Sequence, residues 1–120
     1  MKKVLIVDDS PVSRVLMKNL VLKRECEVIE ACNTVEAIDQ FTNENPDIVF
    51  MDIIMETSRS GIEVLREIKK KNPKTVVIMV TSIAQQDSVI RECVESGADE
   101  YISKPFKDDD ILNALDRHLK

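Results

Sequence analysis

A chain of 120 residues fits one compact domain with a core of its own. With 43% hydrophobic and 32% charged residues it reads as globular rather than disordered. Its net charge of −5 disfavours indiscriminate binding to nucleic acid or to anionic membranes, and its apolar runs are far too short to span a bilayer.

The opening MKKVLIV imitates a signal peptide, but Asp8 and Asp9 cut the apolar stretch too early for one. VLIV (4–7) instead reads as a first strand that runs straight into two carboxylates. Ser10-Pro11 then starts a helix, because proline's missing N–H is not needed at the first position. Val12, Val15, Leu16 and Leu20 share one face of that helix. EVIEA (27–31) is the second strand, around which Cys26 and Cys32 stand. With Cys93 they form no CxxC pair and are expected to be reduced thiols of a cytoplasmic protein.

Asn33 with Glu36 resembles a capping box for a second helix carrying Ala37, Ile38 and Phe41 on its apolar face. Pro46 follows its end. DIVFM (47–51) is the third strand and delivers Asp52. A third helix carries Ile62, Leu65 and Ile68, with Lys69–Lys71 as a solvated, dipole-complementing end. Pro73 follows it. VVIMV (76–80) is the fourth strand and runs into Thr81 and Ser82. Val89, Ile90, Cys93 and Val94 mark a fourth helix, closed by a left-handed Gly97. EYIS (100–103) is the fifth strand, followed by Lys104 and Pro105. Asp108 is placed to cap a last helix bearing Ile111, Leu112, Leu115 and Leu119, with His118 on its surface. Met17, Met51, Met55 and Met79 read as core fillers.

Strands alternating with helices imply a parallel sheet covered on both faces. Strands 1, 3 and 4 are apolar throughout and belong at the centre. Right-handed crossovers then give an α/β, flavodoxin-like fold: a five-stranded parallel sheet of order 2-1-3-4-5 flanked by five helices. In such sheets ligands bind beyond the carboxyl ends of the strands, and that edge collects Asp8, Asp9, Asp52, Thr81, Ser103 and Lys104. Two unit charges ~4 Å apart interact by ~4 kcal/mol at an effective dielectric of ~20. Three clustered carboxylates therefore require a cation, or one of them takes up a proton. Lys104 supplies a single positive charge. An all-oxygen site with few protein ligands suits Mg²⁺. One imidazole and scattered cysteines do not suit zinc or copper.

A carboxylate can also act as a nucleophile and form an aspartyl phosphate. That chemistry needs a metal, a lysine and a hydroxyl donor, and this edge offers each. There is no GxxxxGK cradle and the chain has only two glycines. The phosphoryl donor is therefore expected to be another protein or a small phosphodonor rather than a nucleotide.

Taken in order, VLIVDDS, IVFMDIIM, VIMVTS and SGADEYISKPF resemble the receiver domain of two-component response regulators over essentially the whole chain, 1–120. The resemblance implies Asp52 as phosphoacceptor. It implies Asp8, Asp9, Asp52 and the backbone carbonyl of Ile54 as ligands of Mg²⁺, Thr81 as switch hydroxyl, Lys104 as the phosphate-pairing lysine and Tyr101 as switch aromatic. It also implies a cis Lys104–Pro105 peptide. The implied partners are a histidine kinase or phosphotransfer protein upstream and an effector protein downstream, read by a surface of helix 4, strand 5 and helix 5. Neither nucleic acid nor membrane is expected to be bound directly. The protein is expected to be a monomer or weak dimer in chemotaxis or a phosphorelay, and a phosphoacceptor rather than a turnover enzyme. Ile54 and Ile83 stand where family members influence water's approach to the phosphoryl group. Both are apolar, so slow self-dephosphorylation is expected.

One stretch departs from the pattern. The family reads DxxMPxxxG after strand 3, whereas this chain reads DIIMETSRSG. Glu56 replaces the proline and Gly61 comes one residue late, so a longer, looser loop with an added negative charge is expected. That departure sustains the alternative of a degenerate receiver acting as a phosphorylation-independent binding module. A phosphatase-like enzyme would need a substrate cap, and none is visible. A flavin protein would find its phosphate repelled by the acids after strand 1.

Overall fold

The computed structural model describes residues 1–82 and 87–119. Five strands, β1 (Lys2–Val7), β2 (Cys26–Ala31), β3 (Ile48–Met51), β4 (Val76–Thr81) and β5 (Glu100–Ser103), alternate with five helices. The helices are α1 (Pro11–Val21), α2 (Thr34–Glu44), α3 (Ser60–Lys71), α4 (Asp87–Glu95) and α5 (Asp108–His118). The strands form one parallel sheet in the order β2-β1-β3-β4-β5. The apolar strands β1, β3 and β4 occupy the middle, and β2 and β5, which carry Glu27, Glu30 and Glu100, form the edges.

The strand period of two divides the core between the two faces. Leu5, Val7, Val49, Met51, Val77 and Met79 pack with Phe41 of α2, Ile62, Leu65 and Ile68 of α3 and Cys93 of α4. Val4, Ile6, Ile48, Phe50, Ile78 and Val80 pack with Met17, Leu20 and Val21 of α1 and Ile111, Ala114 and Leu115 of α5. Each large side chain removed from water contributes roughly 1.5–3 kcal/mol. All four core methionines expected from the sequence are buried.

The caps follow the sequence with one exception. The Ser10 hydroxyl accepts from the Ser13 amide, and Asn33 accepts from the Glu36 amide at 2.8 Å. The return arm of this second cap goes one residue further back, from the Cys32 amide to Glu36. Gly97 has φ +101°, as a left-handed helix end requires. Asp108 is not the cap of α5 but its first residue. Lys107 is the cap, and its amide donates to Asp110 at 2.8 Å.

Two helices present different faces from those expected. In α1 the stripe Met17, Leu20 and Val21 faces the sheet, while Val12, Val15 and Leu16 are 69%, 52% and 52% exposed. The helix is apolar on more than one side, and its packing against β1 and α5 selects the narrower stripe. In α4 only Cys93 is fully buried, Val89 packs at the margin, and Val94 points to solvent. Lys69 also departs from a solvated helix end. Its amine bonds the Thr75 carbonyl at 2.5 Å and Asp99 at 2.8 Å. His118 is partly covered and sits against Glu100 rather than in open solvent.

Candidate functional site

The backbone ladder carries the acids together past the ends of the strands. The Asp8 amide donates to Ala31 of β2 at 3.1 Å, and the Asp52 amide donates to Val7 of β1 at 2.9 Å. Asp52 is thereby seated beside the residue that follows Val7. Gly61 completes the seat from α3: its amide donates to the Ile53 carbonyl at 2.8 Å. A Cβ at Gly61 would stand 2.0 Å from the Asp52 carbonyl oxygen, so no larger residue fits. On the other side, the Lys104 amide donates to the Thr81 carbonyl at 2.8 Å and carries the chain into the cis Lys104–Pro105 peptide.

From these seats Asp8, Asp9 and Asp52 converge, with one carboxylate oxygen of each within 4.8 Å of the others. Asp8 is fully buried, Asp52 is 7% exposed, and Asp9 faces solvent. The Lys104 amine donates to Asp8 Oδ2 at 2.7 Å and reaches Asp52 Oδ2 at 3.5 Å. The other Asp8 oxygen accepts the Ser10 amide at 2.8 Å, and the Ile54 amide donates to Asp52 Oδ1 at 3.3 Å.

One amine for three carboxylates leaves the site electron-rich. Burial pushes the Asp52 carboxyl up to about 6; the Lys104 charge opposes this and Asp8 adds to it. Burial works against the Lys104 ammonium as well, but its hydrogen bond to Asp8 and the charge of Asp52 outweigh that, so its pKa is raised. The donor set, three carboxylates with two of them buried, is hard and oxygen-only. It fits a small divalent cation such as Mg²⁺ and lacks the imidazole or thiolate that zinc would require.

Thr81 ends β4 with its side chain fully buried, and Tyr101 lies on β5, partly buried against the core that includes Cys93. Ile54 is 38% exposed beside Asp52. Ile83 lies outside the described residues. Sequence reasoning missed Arg14, whose guanidinium donates to the Asp8 carbonyl at 2.7 Å and pairs with Glu30 at 3.5 Å. Its position, one helical turn after Ser10, was the available signal.

The loop after β3 is not loose. Thr57, Arg59 and Ser60 form a hydrogen-bonded turn. Glu56 accepts the Thr34 hydroxyl at 2.8 Å and the Thr34 amide at 3.1 Å, and its pKa is lowered by those bonds. The expected added charge is thus committed to the start of α2.

Residues 4–116 match the model of the response regulator receiver domain. The chain is 40% identical to the chemotaxis protein CheY of Listeria monocytogenes, over the full length of both. It is 34% identical to sporulation initiation phosphotransferase F of Bacillus subtilis, covering 98% of this chain and 94% of that one. Among solved structures, a CheY-like response regulator receiver domain protein from Methanospirillum hungatei superposes with a TM-score of 0.90 at 29% identity, covering 99% of this chain and 94% of that one. Sheet order and sequence agree, and the chain belongs to the response regulator receiver domain family.

Proposed function

We propose that this receiver accepts a phosphoryl group on Asp52 from a partner histidine kinase or phosphotransfer protein, and that the new group shifts the face made by α4, β5 and α5 toward an effector-binding form. The observation that carries this reading is the Lys104 amine, within reach of both Asp8 and Asp52 at the one edge where three carboxylates share it. Asp8, Asp9, Asp52 and the Ile54 carbonyl would hold Mg²⁺, which when bound offsets the negative charge on the phosphoryl oxygens.

The Asp52 carboxylate attacks phosphorus as the bond to the donor imidazole breaks. Lys104 pairs with a phosphoryl oxygen and exchanges one anionic partner for another. Thr81 donates its hydroxyl to the new group, and Tyr101 repacks into the space so released. The outcome is a shift between two packings of one fold, not turnover of a substrate. Membership beside a sporulation phosphotransferase and a chemotaxis protein supports a role in two-component signalling.

A groove lined by Ser13, Leu16, Pro105 and Phe106 lies beside Lys104 and supports docking of a protein donor there; Val12 and Val15 of α1 are exposed as well.

The test is labelling by a small phosphodonor with Mg²⁺, where Asp52→Asn is expected to abolish stable labelling. Labelling of that variant equal to wild type rejects Asp52 as acceptor. A wild type that takes no label at all indicates a phosphorylation-independent binding module. The exposed apolar Ile54 offers nothing to orient water, so the label is expected to decay slowly and Ile54→Asn to hasten its loss. Unchanged decay would count against that role.

A further inference from the structure

The loop between β3 and α3 carries the acceptor at its start and runs into the first turn of α3, where Gly61 lies against the Asp52 carbonyl. Its two ends are fixed by backbone bonds, from the Asp52 amide to Val7 and from the Gly61 amide to Ile53. Its crest is fixed by side chains. Glu56 reaches across to α2, where one carboxylate oxygen takes both the hydroxyl and the amide of Thr34 and the other lies 3.3 Å from the same amide. Thr34 is the first residue of α2, whose amide has no partner within its own helix, and the start of a helix favours an anion. On the far side Arg59 pairs with Glu92 of α4, which also takes Arg66 at 2.8 Å.

Such bonds between exposed groups add little to global stability. Their effect is local, because Glu56 lies two residues from Ile54. Where the family pattern has a proline, whose ring would stiffen the backbone, this chain has a side-chain tether. An oxygen that ligates a metal is held in place by what holds its own segment, and outer partners of this kind tune affinity.

We infer that Glu56 is a positioning residue. By bonding Thr34 at the start of α2 it fixes the segment that presents the Ile54 carbonyl, and so sets the Mg²⁺ affinity of the Asp8–Asp9–Asp52 cluster. The inference rests on the phosphoacceptor reading, and it differs from a simple charge effect in what the tether must do.

Calorimetric titration of the full chain with MgCl₂ separates the two. Glu56→Ala is expected to weaken Mg²⁺ binding by about tenfold. Thr34→Val, which leaves the Glu56 charge in place, should weaken it by less. Glu56→Gln, which loses the charge and keeps an acceptor, should restore most of the affinity. The double variant Glu56→Ala/Thr34→Val should be no weaker than Glu56→Ala alone. In the metal-free protein Glu56→Ala should also speed hydrogen exchange at the Thr34 amide, where the lost bond is read directly.

Wild-type affinity in Glu56→Ala overturns the inference while leaving the phosphoacceptor reading intact. So does a Glu56→Gln variant as weak as Glu56→Ala beside an unaffected Thr34→Val, which would point to charge alone. A wild type that binds no Mg²⁺ overturns both.

Discussion

The two ends of the sheet treat their acidic groups in opposite ways. At the amino ends of the strands, the acids are spread over two amines and two backbone amides. Lys3 pairs with Glu44 and Glu27, its amide donates to Asp47 at 2.9 Å, and Lys69 holds Asp99, which also accepts the Val77 amide. At the carboxyl ends, Asp8, Asp9 and Asp52 share the amine of Lys104, and the Arg14 guanidinium that approaches them is spent on a backbone carbonyl and on Glu30. Acids spread over separate donors fasten loops to the sheet. Acids crowded around one amine store a demand for a cation and respond when one arrives. Function is therefore marked here by what the fold leaves uncompensated rather than by charge as such.

The same substitution at each end breaks the comparison most sharply. Gly61→Ala drives a Cβ into the Asp52 carbonyl and is expected to cost about 3 kcal/mol or more and to abolish labelling. At the amino end, Gly97→Ala meets a strained φ of +101° and the flexible Lys69 side chain. It should cost about 1–2 kcal/mol and leave labelling intact. Urea denaturation and phosphodonor labelling of both variants decide this, and equal losses would mean the acceptor edge is no more tightly built than the other.

Lysine removal gives the next effect. Lys104→Ala strands the buried Asp8 carboxylate and should cost about 3 kcal/mol without metal, most of it regained at saturating Mg²⁺. Lys69→Ala loses a partly covered pair and should cost about 1–2 kcal/mol that Mg²⁺ does not restore. Thermal melts with and without MgCl₂ separate them. Rescue of both, or of neither, would remove the distinction between the two edges.

The smallest effect has the opposite sign. The Asp52 carboxyl is shifted from 3.8 up to about 6, so the folded state keeps its proton to higher pH than the unfolded state does. Wild-type stability without metal therefore falls as pH rises from 3.8 to about 6, and the loss is complete above that window. Asp52→Asn avoids this loss. It should be more stable than wild type by roughly 1–3 kcal/mol at pH 7, with the gap closing near pH 4. Because a proton competes with the cation at Asp52, Mg²⁺ affinity should also fall as pH drops below about 6. A flat difference across pH would show that burial of Asp52 carries no such cost.

Much of this was readable before any coordinates. Strand order followed from which apolar runs were uninterrupted, because a strand covered on both faces cannot carry glutamates like those of β2 and β5. The convergence of Asp8, Asp9, Asp52 and Lys104 followed from that order, since parallel strands end at one edge. Side-chain partners over long separations were not readable. Nothing local to Glu56 points to Thr34, and nothing local to Lys69 points to Asp99. The orientation of α1 was misjudged for a related reason: a helix apolar on two sides has no single period to follow, and its neighbours choose the stripe.

Sequence was sufficient for the alternation of elements, the layer arrangement and the edge at which chemistry collects, because these rest on periodicity and on residues adjacent in the chain. Folding in three dimensions fixed which side of α1 stays exposed, how closely the Lys104 amine approaches Asp8 and Asp52, and how the unusual loop is fastened to α2. Those features depend on contacts between segments tens of residues apart, whose energies exist only once the sheet has brought them within a few ångströms of one another.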